Sequence, residues 1–262
     1  MKLAHIINPV KVTTTSDLYI AQPITFQTMI NAKRFAKDFN IEVEQFYTCF
    51  VEDLSICPPI FRQTNILEQS ILNYSTFNKK RKLPLIKDIL DSLYNTSDAD
   101  YFIYTNVDIS LMPHFYVNIA KILNNGIDSI VINRRTISDI YTSINEIPQM
   151  YSEIGTKHPG FDCFIFRRTS YKHFYLGNAC IGANSIGKIL ITNLILNSKK
   201  FRLFKNEHLT FHIGDDRSWK INNFKDYDTH NENILINILK RNEHKLDKHP
   251  LLNSYKIRYL EK

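Results

Sequence analysis

The feature that most constrains the fold is a short apolar run, Tyr101–Thr105 (YFIYT), that leads directly into the polar residues Asn106 and Asp108. Such a run is typical of a strand that is buried on both faces of a parallel sheet. Ligands of open α/β sheets bind at the carboxyl ends of the strands. The residues just after Thr105 are therefore the first place to look for a functional site.

The rest of the chain alternates between strand-like and helix-like patterns. Strands are predicted at residues 3–8, 41–50, 127–133, 161–167 and 209–213. Helices are predicted at residues 24–39, 83–94, 113–123 and 186–196. Residues 51–78 are ambiguous, and a helix at residues 66–74 is one alternative. This alternation predicts an α/β fold with a mostly parallel sheet.

Composition excludes several classes of protein. Of the 262 residues, 44% are hydrophobic and 23% are charged, so a disordered chain is excluded. The apolar stretches are shorter than the ~18 residues of a membrane span. The N-terminus lacks the apolar run and small-residue cleavage site of a secretory leader, which predicts a cytoplasmic protein.

Positive charge is concentrated at the C-terminal end. The net charge is +7, and residues 199–262 carry 14 Lys or Arg against 9 Asp or Glu. Such a bias suits a phosphate-bearing ligand, an anionic membrane surface or a nucleic acid, and a solvated basic surface is an equal alternative.

The cysteines indicate neither a zinc site nor a disulfide framework. They are Cys49, Cys57, Cys163 and Cys180, and they show no CxxC and no regular spacing. We interpret them as reduced, mostly buried thiols.

The first candidate for a functional site is the pair Asn106 and Asp108, which follows the apolar strand. Strand residues alternate in direction, so the two side chains point to the same side. Such an oxygen pair can hold Mg²⁺ or Mn²⁺, and the metal can then bind a diphosphate. The alternative is that Asp108 only closes the turn or caps the following helix.

The second segment is residues 210–220 (TFHIGDDRSWK), at the end of a predicted strand. A neutral imidazole such as that of His212 can ligate a metal, and Gly214 lets the backbone approach a phosphate. The cations Arg217 and Lys220 can clamp diphosphate oxygens. The alternative is a polar surface turn with a buried histidine.

A third segment, residues 159–168, places Asp162 among aromatic residues. This acid is either a satisfied structural carboxylate or one placed for function. The basic run at residues 79–82 is either a solvated helix entrance or a phosphate contact, and His158 and Glu153 are weaker candidates. The chain lacks GxGxxG, P-loop, HExxH and Gly-x-Ser-x-Gly motifs, which disfavours Rossmann dehydrogenases and P-loop kinases.

The order of these segments resembles the GT-A superfamily of nucleotide-sugar-dependent glycosyltransferases. In that superfamily a metal-binding Asp-x-Asp follows a sheet strand, and a late His completes the metal site. The tail HIGDDRSW is similar to the His-x-x-Gly-x-x-Lys-Pro-Trp signature of retaining family 8, with one residue fewer between His and Gly and Arg for Lys. The resemblance spans roughly residues 1–220.

The resemblance implies roles for individual residues. Asp108 matches the direct metal ligand, and Asn106 falls where the first Asp usually lies, which is a departure because Asn lacks the charge. An alternative register reads residues 108–110 as the metal triplet. The implied metal ligands are Asp108 and His212, for Mn²⁺ or Mg²⁺. The implied nucleotide-sugar contacts are Asn106, Asp108, Lys82, Gly214, Arg217 and Lys220.

The expected stereochemistry of sugar transfer depends on whether a carboxylate base is present on the acceptor side. Inverting GT-A enzymes usually carry a carboxylate base after the acceptor-side strand, whereas residues 177–188 (GNACIGANSIGK) contain none. The resemblance therefore favours retention, with positioning and charge neutralisation at the leaving diphosphate. Asp162 is the predicted catalytic residue in the acceptor cleft, as a base or a sugar-hydroxyl contact.

These observations combine into one prediction, a single-domain GT-A-like α/β protein. Residues 1–134 would bind the nucleotide, residues 135–220 would build the acceptor side, and residues 221–262 would form a basic helical segment. The implied function is sugar transfer from a nucleotide-diphosphate donor, with a UDP-sugar favoured, to a glycan or lipid-linked acceptor in bacterial surface-polysaccharide assembly. The basic end could rest on the anionic inner face of the membrane.

Two alternatives to this function stay open. The first is an inactive GT-A-like partner domain, which Asn106 favours. The second is a nucleic-acid-binding module, and it is disfavoured because the basic residues are not interleaved with aromatic residues in a recognisable motif, so no nucleic-acid partner is expected.

Overall fold

The computed structural model describes residues 1–215 and 224–261. Within those residues the chain forms one sheet of nine strands. The strands are β1 (Lys2–Ile7), β2 (Glu42–Tyr47), β3 (Arg62–Gln63), β4 (Tyr101–Thr105), β5 (Ser110–Leu111), β6 (Ser129–Ile137), β7 (Thr156–Arg167), β8 (Phe201–Phe204) and β9 (Thr210–Ile213).

The sheet is mixed, with strand order β3-β2-β1-β4-β7-β6-β9-β5 and β8 beside β6. Parallel pairing joins β3 to β2, β2 to β1, β1 to β4, and β6 to both β8 and β9. Strand β7 runs antiparallel to both of its neighbours, β4 and β6, and β5 is antiparallel to β9. The prediction of an α/β fold with a mostly parallel sheet is therefore confirmed.

Helices cover both faces of this sheet. They are α1 (Leu18–Lys37), α2 (Ile86–Thr96), α3 (Phe115–Asn124), α4 (Ile147–Ser152), α5 (Arg168–Tyr171), α6 (Ile186–Leu196), α7 (Lys225–Arg241), α8 (Glu243–Leu246) and α9 (Pro250–Tyr259). Short 3₁₀ turns lie at Val51–Ile56, Ile71–Asn73 and Ile144–Glu146. Among the residues described, none of these helices combines the length and apolarity that crossing a membrane requires.

The apolar character of β4 follows from this two-sided cover. Tyr101 and Ile103 belong to the core that α1 and α3 form on one face. Phe102 and Tyr104 belong to the core that α2, α6, α7 and α9 form on the other face. Because neighbouring strand residues point to opposite faces, both sets of side chains must be apolar.

Most predicted elements are present with shifted ends. The bounds of β4 and α6 are as predicted, whereas α3 begins at Phe115, two residues after Pro113. The ambiguous stretch at residues 51–78 holds two short turns and β3, and its alternative helix at residues 66–74 is only the turn Ile71–Asn73. Strand β8 was not predicted. Strand β7 begins earlier than predicted, at Thr156, because it continues through Pro159 and Gly160 as an irregular strand.

Candidate active site

The two polar segments predicted to meet do so at the carboxyl ends of β4 and β9. After β4 the chain turns, with the Ile109 amide donating to the Asn106 carbonyl over 3.2 Å. Strand β5 then pairs with β9, Ser110 opposite Phe211. This pairing places Asp108 beside His212, with Oδ2 of Asp108 3.3 Å from Nε2 of His212.

The other nitrogen of His212 fixes the orientation of the ring. Nδ1 lies 2.8 Å from the Gly214 carbonyl oxygen, which can only accept a hydrogen bond, so Nδ1 carries a proton. Gly214 adopts a left-handed backbone with φ of +68°, and its amide donates to the Ile137 carbonyl over 3.0 Å. The glycine therefore holds the imidazole with Nε2 facing Asp108.

Asp108 and His212 behave as an ion pair. Burial favours the neutral form of each group, but the hydrogen bond and charge of the partner outweigh it. The pKa of Asp108 is consequently below its ordinary value, and the pKa of His212 is above its ordinary value. The second oxygen of Asp108, Oδ1, is buried and has no hydrogen-bond partner among the described residues.

An irregularity in β7 brings a second carboxylate to the same edge. Ile132 of β6 pairs with Cys163, and the next residue, Asn133, pairs with Phe161, so Asp162 is an extra residue in the ladder. Bulges of this kind redirect side chains and occur beside active sites. Oδ2 of Asp162 lies 3.1 Å from a guanidinium nitrogen of Arg134.

Arg134 and His158 both lie between two carboxylates. Arg134 is 4.0 Å from Oδ1 of Asp215 as well as 3.1 Å from Asp162. His158 is 4.0 Å from Asp162 through Nδ1 and 3.8 Å from Asp215 through Nε2. Burial raises the pKa of Asp162, and the charge of Arg134 offsets this only in part. The site thus combines an Asp108–His212 pair with a second cluster of four charged or titratable groups.

Gly160 allows the second cluster to close. A Cβ at this position would lie 2.7 Å from Cε1 of His158 and 3.1 Å from Oδ2 of Asp162. The Gly160 amide donates to Nδ1 of His158 over 3.0 Å. A larger residue would therefore push the imidazole away from the carboxylate.

No protein-family model matches the chain, and a search of curated proteins gives no match. Solved structures do match. S. aureus TarS 1–349 in complex with UDP-GlcNAc superposes with a TM-score of 0.54 at 10% identity, covering 92% of this chain and 72% of that chain. The same protein in complex with UDP gives a TM-score of 0.50 at 11% identity, covering 98% and 75%. The chain has a GT-A-like fold. At such low identity the superpositions support the fold alone, and the resemblance to family 8 stays a prediction.

The GT-A-like fold brings four of the predicted site residues together, namely Asp108, His212, Gly214 and Asp162. Asn106 lies in the turn before Asp108 and accepts a hydrogen bond from the Tyr104 hydroxyl over 3.2 Å. Lys82 instead pairs with Glu52 over 2.5 Å and lies 4.0 Å from the centre of the Phe50 ring. Arg217 and Lys220 lie outside the described residues.

Sequence reasoning missed Arg134 and gave no role to Asp215. A signal for the first was present, because two adjacent arginines, Arg134 and Arg135, follow an apolar strand. Arg135 is structural: it donates to the Gly155 carbonyl over 2.7 Å and to the Asn206 side chain over 2.9 Å. Only the three-dimensional register shows that its neighbour reaches Asp162.

The Asp108–His212 pair fits a divalent metal ion as a partial ligand set. Oδ1 of Asp108 is buried and unpartnered within the described chain, and Nε2 of His212 is oriented by the contact between Nδ1 and Gly214. Carboxylate oxygen and the deprotonated Nε2 of an oriented imidazole are both ligands of Mn²⁺, so a bound ion would replace the Nε2 proton that faces Asp108. Residues 1–215 and 224–261 contain no group of three or more such ligands, so a bound nucleotide or water would complete the coordination.

Proposed function

We propose that this protein is a nucleotide-sugar-dependent glycosyltransferase. It would move a sugar from a nucleotide-diphosphate donor, with a UDP-sugar favoured, to a glycan or lipid-linked acceptor. The observation that carries the proposal is the Asp108–His212 pair, with a buried unpartnered carboxylate oxygen, at the carboxyl edge of a GT-A-like sheet. The TarS chains of similar fold were solved with UDP and UDP-GlcNAc, which supports a donor of this class.

The residues of the pair would hold Mn²⁺ or Mg²⁺. When bound, such an ion stabilises the negative charge that develops on the leaving diphosphate. The chain's own contribution is preorganisation, since the Gly214 carbonyl fixes the imidazole of His212 and the turn after β4 fixes Asp108.

Asp162 would act on the acceptor side of the same edge, as a base or as a contact to a sugar hydroxyl. Arg134 keeps this buried carboxylate paired, and His158 lies within 4.0 Å of it. Retention is the favoured outcome because residues 177–188 supply no acid. Proton NMR of the first-formed product would test this, since a product anomer opposite to that of the donor would refute retention.

The first experiment is a thermal-shift screen with UDP, GDP, CDP and CMP, each with and without Mn²⁺. A ligand that binds only the folded state raises stability by about 2.7 kcal/mol at a hundredfold excess over its dissociation constant. We expect a Mn²⁺-dependent shift with one nucleoside diphosphate, and its loss in Asp108→Asn and His212→Gln. The matched control is Asp247→Asn, since Asp247 is an exposed carboxylate that pairs with Lys256.

Each alternative result has a defined meaning. A nucleotide-induced thermal shift that needs no Mn²⁺ and is unchanged in both variants would support the transferase function. It would refute the assignment of Asp108 and His212 as metal ligands. The absence of any nucleotide-induced shift would instead favour an inactive GT-A-like partner domain. Asn106 is the observation behind this second candidate, because the usual carboxylate is missing there.

We further propose that the C-terminal helices contact an anionic membrane surface that presents the acceptor, in bacterial surface-polysaccharide assembly. Residues 240–258, at and between the ends of α7 and α9, carry six cations, namely Lys240, Arg241, Lys245, Lys248, Lys256 and Arg258. Arg241 lies 4.0 Å from the Tyr175 ring centre and Lys256 pairs with Asp247 over 3.1 Å, so these two are already engaged. Flotation with anionic vesicles tests this proposal, and a protein that stays in the soluble fraction would refute it.

A further inference from the structure

Two cysteines lie close together beside the carboxyl end of β2. Sγ of Cys49 is 3.5 Å from Sγ of Cys57, although neither their spacing in the sequence nor a CxxC motif indicates a pair. Cys49 is buried and Cys57 is half-buried, and the turn Val51–Ile56 connects them. Strands β1, β2 and β4 are parallel, so this pair lies at the same edge of the sheet as Asp108.

The turn between the cysteines anchors the loop that follows β1. Oδ1 of the buried Asp53 accepts a hydrogen bond from the Lys11 amide over 2.7 Å. The thiol of Cys57 in turn donates to the backbone carbonyl of Asp53 over 3.6 Å. The Cys57 thiol therefore contacts the backbone of the residue whose carboxylate holds the loop at Lys11.

We propose that Cys49 and Cys57 form a reversible disulfide whose formation weakens the contact between Asp53 and Lys11. The sulfurs must approach from 3.5 Å to about 2.05 Å, which pulls on the turn Val51–Ile56. Oxidation also consumes the thiol proton that Cys57 donates to Asp53. This modification site is separate from the Asp108–His212 pair and does not depend on the proposed transferase activity.

The oxidant is a low-molecular-weight disulfide such as glutathione disulfide. Cys57 is the more accessible thiol, whereas the hydrogen bond from Cys57 lowers the pKa of Cys49. The thiolate of either cysteine attacks one glutathione sulfur, the sulfur–sulfur bond breaks, and one glutathione leaves and takes up a proton. The thiolate of the other cysteine then attacks the protein sulfur of the mixed disulfide and displaces the second glutathione. Two protein thiols are oxidised and one glutathione disulfide is reduced to two thiols.

The test equilibrates the full chain over graded ratios of glutathione disulfide to glutathione, then alkylates the unfolded protein and measures its mass. We expect the wild type to take up two fewer alkyl groups at the oxidising end, a Cys49–Cys57 cross-linked peptide, and full reversal by reductant. Cys57→Ala should lose the cross-link. Cys180→Ser is the matched control, because Cys180 is also buried but its thiol faces Asn231, 3.7 Å away.

Hydrogen exchange of the peptide that contains Lys11 gives the second readout. We expect its exchange to rise roughly tenfold on oxidation of the wild type and not of Cys57→Ala. A wild type that keeps all four thiols, or that stops at a glutathione adduct, would overturn the proposal. So would a disulfide that leaves exchange at Lys11 unchanged. Neither readout uses a nucleotide, so a failed transferase assay does not affect them.

Discussion

Substitution of Gly214 by alanine tests how the backbone positions His212. Gly214 has a φ of +68°, and a Cβ there would lie 3.1 Å from Cβ of Asp139, an atom next to the backbone that cannot rotate away. A left-handed conformation costs an L-residue about 1–2 kcal/mol. For a chain of this size each 1 kcal/mol corresponds to roughly 2–4 °C, so we expect a melting temperature about 2–8 °C lower.

Gly177→Ala is the matched control for this substitution. Gly177 has a φ of +51°, and its Cβ would meet only the side chain of Ile234 at 3.3 Å, away from the site. Both variants should lose similar stability in thermal or urea unfolding. Only Gly214→Ala should shift the NMR titration of His212 downward, because it disturbs the carbonyl that accepts from Nδ1. An unchanged melting temperature, or equal effects of both variants on that titration, would refute the reasoning.

Three further predictions concern charge and packing. Arg134→Met leaves the buried Asp162 without its cation and should cost about 3 kcal/mol in urea unfolding. A loss that does not shrink in acid, where Asp162 is protonated, would contradict this cause. His212, with its raised pKa, should contribute stability that is full below its unfolded pKa of about 6.5 and lost as pH rises through the folded pKa. Asp108, with its lowered pKa, should contribute stability above about pH 3.9 that is lost as pH falls through the folded pKa. The measurement is the difference in the free energy of unfolding between wild type and His212→Gln as a function of pH, and a difference that does not change with pH would contradict both expectations. Phe102→Ala removes a fully buried ring and should cost about 3–5 kcal/mol in chemical denaturation, so a loss below about 1 kcal/mol would show that the core collapses around it.

The fold could be predicted where local pattern and burial agree. The run Tyr101–Thr105 is apolar throughout because helices cover both of its faces, and that signal is visible in one chain. Strand β8 lacks such a signal: it is four residues long, and Arg202 interrupts its apolar character. The direction of β7 was also not predictable, because antiparallel insertion between β4 and β6 is a property of the sheet and not of the segment.

The candidate site also combines residues that the sequence pattern indicates with a contact that depends on strand packing. Asp108 and His212 could be placed at one edge from the sequence because Asp108 follows a strand and His212 lies near the end of another, and the GT-A resemblance implied that they act together. The contact between Arg134 and Asp162 required the bulge in β7, where one residue of the ladder is unpaired. A register shift of this kind arises from packing between strands, so the residue pattern does not show it.

The charge at this edge constrains how an anionic donor can bind. Asp108 pairs with His212, and Asp162 and Asp215 both lie within 4.0 Å of the guanidinium group of Arg134. Burial raises the pKa of Asp162, which indicates that the existing cations do not fully compensate this carboxylate. A diphosphate adds further negative charge, and like charges in a poorly solvated site repel strongly. Donor binding should therefore be coupled to uptake of positive charge, as a metal ion or as a proton on the buried Asp162. Calorimetry of nucleotide binding in buffers of different ionisation enthalpy measures this coupling, and a binding enthalpy that depends on neither buffer nor Mn²⁺ would contradict it.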